Sequence, residues 1–145
     1  MLVGRPCWDE RVVEVVVGAL IREGRVLLGH RSPHQVAYPD VWDLPGGVVE
    51  AGESALGALT RELQEELGVT VVTTSASPLC RLTAGLAEQP VRLSAWLVQD
   101  WDGTPANVAP DEHDDIGWFG LDDLPLLAHD VVRSALVAAM RRCGA

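Results

Sequence analysis

Three glutamates, Glu62, Glu65 and Glu66, stand at i, i+3 and i+4 within GVVEAGESALGALTRELQEELGV, residues 47–69. At about 100° per residue they project from one sector of a helix. Like charges this close repel, each exposed i,i+4 pair costing a few tenths of a kcal/mol. A hard divalent cation with oxygen ligands reverses that sign. Magnesium takes a few carboxylates and leaves its remaining positions to water and phosphate oxygens, so a mixed protein–phosphate site suits this spacing. Taken alone, a glutamate trio on a helix is usually a solvated face. Its neighbours shift the balance. Glu53 sits at the expected helix start, where a carboxylate suits the positive helix end, and Arg61 two turns later is placed to pair with it. Pro45-Gly46-Gly47 just upstream lets backbone amides and carbonyls approach a metal or a phosphate closely.

The elements that must position these groups are legible from periodicity. A helix is expected from Ser54, a good cap residue, to Gly68, a typical C-terminal glycine. Leu56, Leu59, Leu63 and Leu67 recur at three and four and should pack inward. That stripe is expected opposite the carboxylates, with the small Ala55 and Ala58 beside them leaving room for a ligand. Upstream, the valine-rich Arg11–Ile21 reads as a strand buried on both faces. The turn Arg22-Glu23-Gly24 joins it to a second strand, Arg25–Arg31, as a hairpin. Ser32–Tyr38 is expected as a loop over a site, and Pro39–Gly47 as a short strand and tight turn. Further strands are expected at Val69–Val72, Val91–Trp101 and Ile116–Phe119, with a loop over Thr104–Asp115 and a closing helix over Val131–Arg142. The interleaving predicts an α/β fold with a mixed sheet between helices, in one domain spanning residues 1–145.

Composition limits the partners. The 145 residues carry a net charge of −10, and all eleven basic residues are arginine. Such a surface repels a nucleic-acid backbone, and a polyanionic substrate would need a cation to offset it. Cys7, Cys80 and Cys143 form neither a disulfide framework nor a zinc pattern, which suits a reducing compartment. The first residues lack the basic and apolar segments of a signal peptide, and no apolar run is long enough to span a membrane. A soluble, cytoplasmic protein is expected.

Residues 47–69 resemble the Nudix box, Gly-x5-Glu-x7-Arg-Glu-U-x-Glu-Glu-x-Gly-U with U bulky and apolar. Gly47, Glu53, Arg61, Glu62, Leu63, Glu65, Glu66, Gly68 and Val69 fill every defined position. The valine-rich strand, Trp42-Asp43-Leu44-Pro45-Gly46, the late Glu112 and Trp118-Phe119 extend the likeness over nearly the whole chain. The resemblance implies the Nudix α/β/α sandwich, with a mixed and partly closed sheet. It implies a Mg2+- or Mn2+-dependent hydrolase that splits a diphosphate linkage in a nucleotide-like molecule. By position, Glu62, Glu65 and Glu66 match the metal-binding or base carboxylates, and Gly46 the residue whose carbonyl joins the metal. Glu53 and Arg61 match a structural pair. Glu112 matches a further carboxylate that binds a second metal or serves as base.

Overall size and pattern are similar to MutT-type members, which cut a nucleoside triphosphate to the monophosphate and pyrophosphate. Within that resemblance Arg31 is placed to reach a terminal phosphate. Tyr38 and Trp42 either stack on a base or pack in the core or lid. His129 and Asp130 fall near where relatives read the base. His30, His34 and His113 are expected as exposed loop or strand-end residues. Val48 replaces a lysine found in some relatives, and no asparagine stands at the base-reading position. Other readings are an ADP-ribose or nucleotide-sugar pyrophosphatase and a non-catalytic nucleotide-sensing module. The expected partner is a small phosphorylated molecule, with no nucleic acid or membrane, for a monomer or homodimer.

Overall fold

The computed structural model describes residues 12–35 and 38–143, so Cys7 and the expected strand start at Arg11 lie outside it. β1 (Val13–Arg22) runs through the middle of a seven-stranded mixed sheet that is not closed into a barrel. Along one side β1 pairs in parallel with β7 (Gln89–Val98). Along the other it meets two strands in succession. Val15–Val17 pair with β4 (Gly46–Val48), while Ile21 and Arg22 pair with β2 (Arg25–Arg31). β2 continues the sheet to β3 (Trp42–Asp43) and to β9 (His113–Phe119), and β6 (Ala76–Leu86) borders β7.

β1 is buried on both faces because a helix covers each. Val16 and Leu20 face Leu59, Leu63 and Leu67 of α1 (Ala55–Leu67), while Val17, Ala19 and Ile21 join the core with Val132, Leu136, Ala139 and Met140 of α2 (Asp130–Cys143). Gly18 lets α1 sit close, since a Cβ there would come within 3.0 Å of Leu59 Cδ1. The result is the expected α/β/α sandwich. The hairpin turn uses positive φ at Glu23 (56°) and Gly24 (74°), the type I′ geometry that suits the twist of the flanking strands.

Two expectations need correction. The expected strand Val91–Trp101 ends at Val98, and Trp101–Asp102 (β8) turns away to pair with Thr70–Val71 (β5) in a separate two-stranded ladder. Ser75 fixes that turn, its Oγ accepting from Asp100 N–H at 3.0 Å. The eleven-residue β6 has no counterpart among the expectations, because Pro78 and Gly85 break its pattern. Both are tolerable in an edge strand, and the pairing with β7 slips between Pro78 and Cys80. Among the described residues no helix is long and apolar enough to cross a membrane.

Leu63 is fully buried between α1 and the sheet. Leu63→Ala is expected to lower unfolding free energy by about 3 kcal/mol, measured by urea denaturation.

Candidate active site

The site is built where β4, the second half of α1 and the start of β9 converge. β4 lies hard against β1. A Cβ at Gly46 would collide with the Val16 carbonyl, and one at Gly47 with the Glu62 carboxylate. The loop into α1 is tied down by a Val49 N–H to Glu14 carbonyl bond of 2.8 Å. Ser54 caps the helix, its Oγ accepting from Gly57 N–H at 3.0 Å, and Gly68 closes it at φ 72°.

Arg61 joins these pieces. Its guanidinium donates to both oxygens of Glu53, from Nε at 2.7 Å and Nη2 at 2.9 Å, and Nη2 also reaches the Val48 carbonyl at 3.1 Å. Nη1 donates to Glu62 at 3.0 Å and to Glu65 at 3.3 Å. The fork matches a carboxylate in two places at once, which a lysine could not do. The Arg61 hydrogen bonds hold the Glu53 carboxyl down at about 2, and the Glu53 contact keeps Arg61 charged well above its ordinary range.

The three helix glutamates have different surroundings. The Glu65 side chain is 59% exposed, whereas that of Glu62 is 13% exposed and lines a cleft. Glu66 is 1% exposed, and neither of its oxygens makes a hydrogen bond of ordinary geometry, although the Gly46 backbone, the Glu62 carboxyl and the His113 ring lie close. The expectation that the leucine stripe leaves all three uncovered is therefore wrong. At about 100° per residue Glu66 lies only ~20° around the helix from Leu59, at the border of the apolar stripe. Burial above all, then the Glu112 and Glu62 carboxylates, raise the Glu66 carboxyl far above the usual range. Glu112 is raised too, by burial and then by Glu62 and Glu65.

His113 corrects a second expectation: it is buried at 5% exposure, not on the surface. Its Nδ1 lies 3.4 Å from Glu66 Oε1, and burial lowers its affinity for a proton. One ligand atom each from Glu66, Glu112 and His113 lie within 4.8 Å of one another, a group able to hold a metal ion. Buried carboxylate oxygens lacking donors, beside further carboxylates, fit a divalent cation by donor chemistry. His30, by contrast, is a strand-end residue half-buried against Trp42 and bonded to Asp114 at 2.7 Å.

The cleft has a volume of about 430 Å³ and gathers Glu62, Glu112, Gly46, Arg31, Tyr38 and His129. Arg31 Nε donates to the Tyr38 carbonyl at 3.1 Å and Nη2 to Gln35 Oε1 at 3.3 Å. Gln35 Nε2 in turn reaches the Glu112 carbonyl at 3.3 Å. Tyr38 and His129 meet edge to face, ring centroids 4.9 Å apart. Trp42 does not line the cleft; it packs against Phe119 and His30 on the core. Asp130 opens α2 as an exposed first-turn acid, also away from the lining. The sequence reading missed Asp43, which lines the cleft with a carboxyl raised by burial. Its strand is only two residues long, so no periodicity in the sequence marked it.

Known proteins share this arrangement. The NUDIX domain family profile matches residues 12–140. A CTP pyrophosphohydrolase of Escherichia coli is 33% identical over 136 residues, covering 90% of this chain and 95% of its own. An 8-oxo-dGTP diphosphatase of the same organism is 29% identical, over 78% of this chain and 88% of its own. The crystal structure of a MutT NUDIX hydrolase from Burkholderia pseudomallei superposes with a TM-score of 0.76 at 34% identity, covering 86% of this chain and 95% of that one.

Glu53 is ionised more readily in the folded chain than in the unfolded one, so its pairing stabilises above its ordinary value of 4.5 and fades as pH falls towards about 2. Glu53→Gln should remove that part of the pH dependence. The gap in denaturation midpoint between wild type and variant should be constant above the window and close on acidification through it.

Proposed function

The chain belongs to the NUDIX family and is a Nudix pyrophosphohydrolase acting on nucleoside diphosphate derivatives, and we propose that it cuts a nucleoside triphosphate to the monophosphate and pyrophosphate with a divalent cation. The observation that carries this reading is Glu66: a buried carboxylate grouped with Glu112 and His113, which line the cleft that also holds Arg31. Glu66, Glu112 and the Gly46 carbonyl would hold the cation, with Glu65 at the solvent edge of the cluster. Bound there, Mg2+ or Mn2+ neutralises phosphate charge and makes a bound water more acidic.

The chain's own groups do the rest. Arg31 presents its guanidinium to the phosphate chain; tethered to Tyr38 and Gln35, it starts ordered rather than searching for the substrate. Glu62 accepts the proton of the attacking water. Arg61 occupies Glu62 Oε1, leaving the other oxygen for that proton, and the missing side chain of Gly47 makes room for the carboxylate. The water oxygen bonds to phosphorus while the anhydride P–O bond breaks, and pyrophosphate leaves with the bonding pair. Tyr38, His129 and Asp43 form the part of the cleft that suits a base: two ring faces and one carboxyl that burial keeps protonated more readily. CTP and oxidised guanine nucleotides head the candidate substrates, as the named activities of the two Escherichia coli relatives.

A panel of nucleoside triphosphates, with ADP-ribose and nucleotide sugars as controls, tests the substrate class. Pyrophosphate release from a triphosphate is expected; turnover of ADP-ribose alone would overturn the assignment. Arg31→Ala should raise KM about tenfold or more with a smaller change in kcat. Glu66→Gln should lower kcat at least about a hundredfold. The same change should raise Tm of the metal-free protein by several degrees, because an amide of equal shape carries no ionisation cost. An active or a destabilised Glu66→Gln would remove that carboxylate from the centre.

A further inference from the structure

The proposed mechanism uses the carboxylates and leaves His113 unexplained. Resting on the metal-dependent reading above, we propose that His113 supplies an imidazole nitrogen to the cation held by Glu66 and Glu112. The centre is then a mixed nitrogen–oxygen site that takes Mn2+ in preference to Mg2+.

Strand register first brings the ring inward. β2 and β9 pair regularly from Val26 with Phe119 to His30 with Asp115, then slip, so that Arg31 faces His113 and Asp114 is skipped. Before the slip Ile116 lies on the α1 side, against the core that holds Leu59 and Leu63. Strict alternation would put residue 113 on the other side, with Phe119. The extra residue returns His113 to the α1 side, and a bulge re-aims a side chain in this way. Asp114, released from the ladder, turns out to pair with His30.

Gly29 then sets the ring orientation. It has the same parity as Leu27, which faces α1, and a Cβ there would stand 2.5 Å from His113 Cδ2 and 2.8 Å from Nε2. That edge of the imidazole therefore lies across the glycine, and Nδ1 is the nitrogen turned to Glu66. The backbone is pinned as well, the His113 carbonyl accepting from Asn107 Nδ2 at 2.8 Å.

Nδ1 and Glu66 Oε1 face each other at 3.4 Å, and neither Glu66 oxygen has a hydrogen bond. Ligand atoms around one first-row cation lie roughly 3 Å apart when adjacent and roughly 4.2 Å apart when opposite, given bonds of about 2.1 Å. The 4.8 Å limit of the Glu66, Glu112 and His113 group is close to that range. Imidazole binds transition cations well and magnesium poorly, so one nitrogen among oxygens tips the selection towards Mn2+.

Electron spin-echo spectroscopy of the Mn2+-loaded full chain reads nitrogen ligation directly, without turnover. The wild type should show 14N coupling that becomes 15N coupling when histidine is isotopically labelled. Both His113→Gln and Gly29→Ala, which keeps every ligand but displaces the ring, should lose it. Calorimetry should give wild type a Mn2+ over Mg2+ preference that falls about tenfold in His113→Gln. A Mn2+-loaded wild type without histidine nitrogen coupling overturns the proposal, and so does an unchanged preference in His113→Gln. If such protein still hydrolyses nucleotides, the functional reading survives its loss; if no cation binds at all, both fall.

Discussion

Taking a carboxylate out of water costs several kcal/mol unless donors or a cation replace the lost solvation. Glu66 meets this cost by holding a proton far above the usual carboxylate range, and the packing keeps it buried. Its side chain leaves α1 beside Leu59, at the border of the stripe in which Leu59 and Leu63 are fully buried against β1. Rotating the helix far enough to hydrate Glu66 would lift those leucines out of the core, losing about 1.5–3 kcal/mol for each. Packing of the core and burial of this carboxyl are thus one event. The helix that stabilises the fold also carries a group whose burial opposes it, a cost that the proposed cation would offset.

Arg61 keeps that arrangement from spreading. Five hydrogen bonds lead from its guanidinium to Glu53, Val48, Glu62 and Glu65, so the loop, the strand end and the helix move as a unit. The same contacts sort the glutamates. Glu62 and Glu65 share a fixed positive charge, while Glu66, on the far side, has none. An identical residue type at three positions of one helix therefore takes three electrostatic environments, which is the condition for dividing labour among them.

The helix, its caps and its partner face were legible in the sequence because they depend on local spacing: Ser54, Gly68 and the leucines needed no tertiary information. The Glu53–Arg61 pair was legible for the same reason. β6 was not, since edge strands accept Pro78 and Gly85 and so need not show a strict alternation. His113 was hidden by a register slip, a property of pairing between strands that no window along one strand contains. Reading it as exposed placed it in the expected loop Thr104–Asp115, whereas it opens β9. Asp43 was overlooked because a two-residue strand has no period to read. Trp42 was a near miss: an aromatic beside the cleft, directed by the pleat to the core.

Charge explains why the cation and Arg31 must act together. With a net charge of −10 and no lysine, the chain offers a polyanion little general attraction, and Arg31 is the one arginine lining the cleft among the described residues. Its loop also reaches the segment that carries Glu112, since Ser32 N–H and Gln35 Nε2 both donate to the Glu112 carbonyl. In the proposed reaction a phosphate at Arg31 and a cation at Glu112 would therefore occupy two ends of one hydrogen-bonded segment, so that the backbone which places one also places the other.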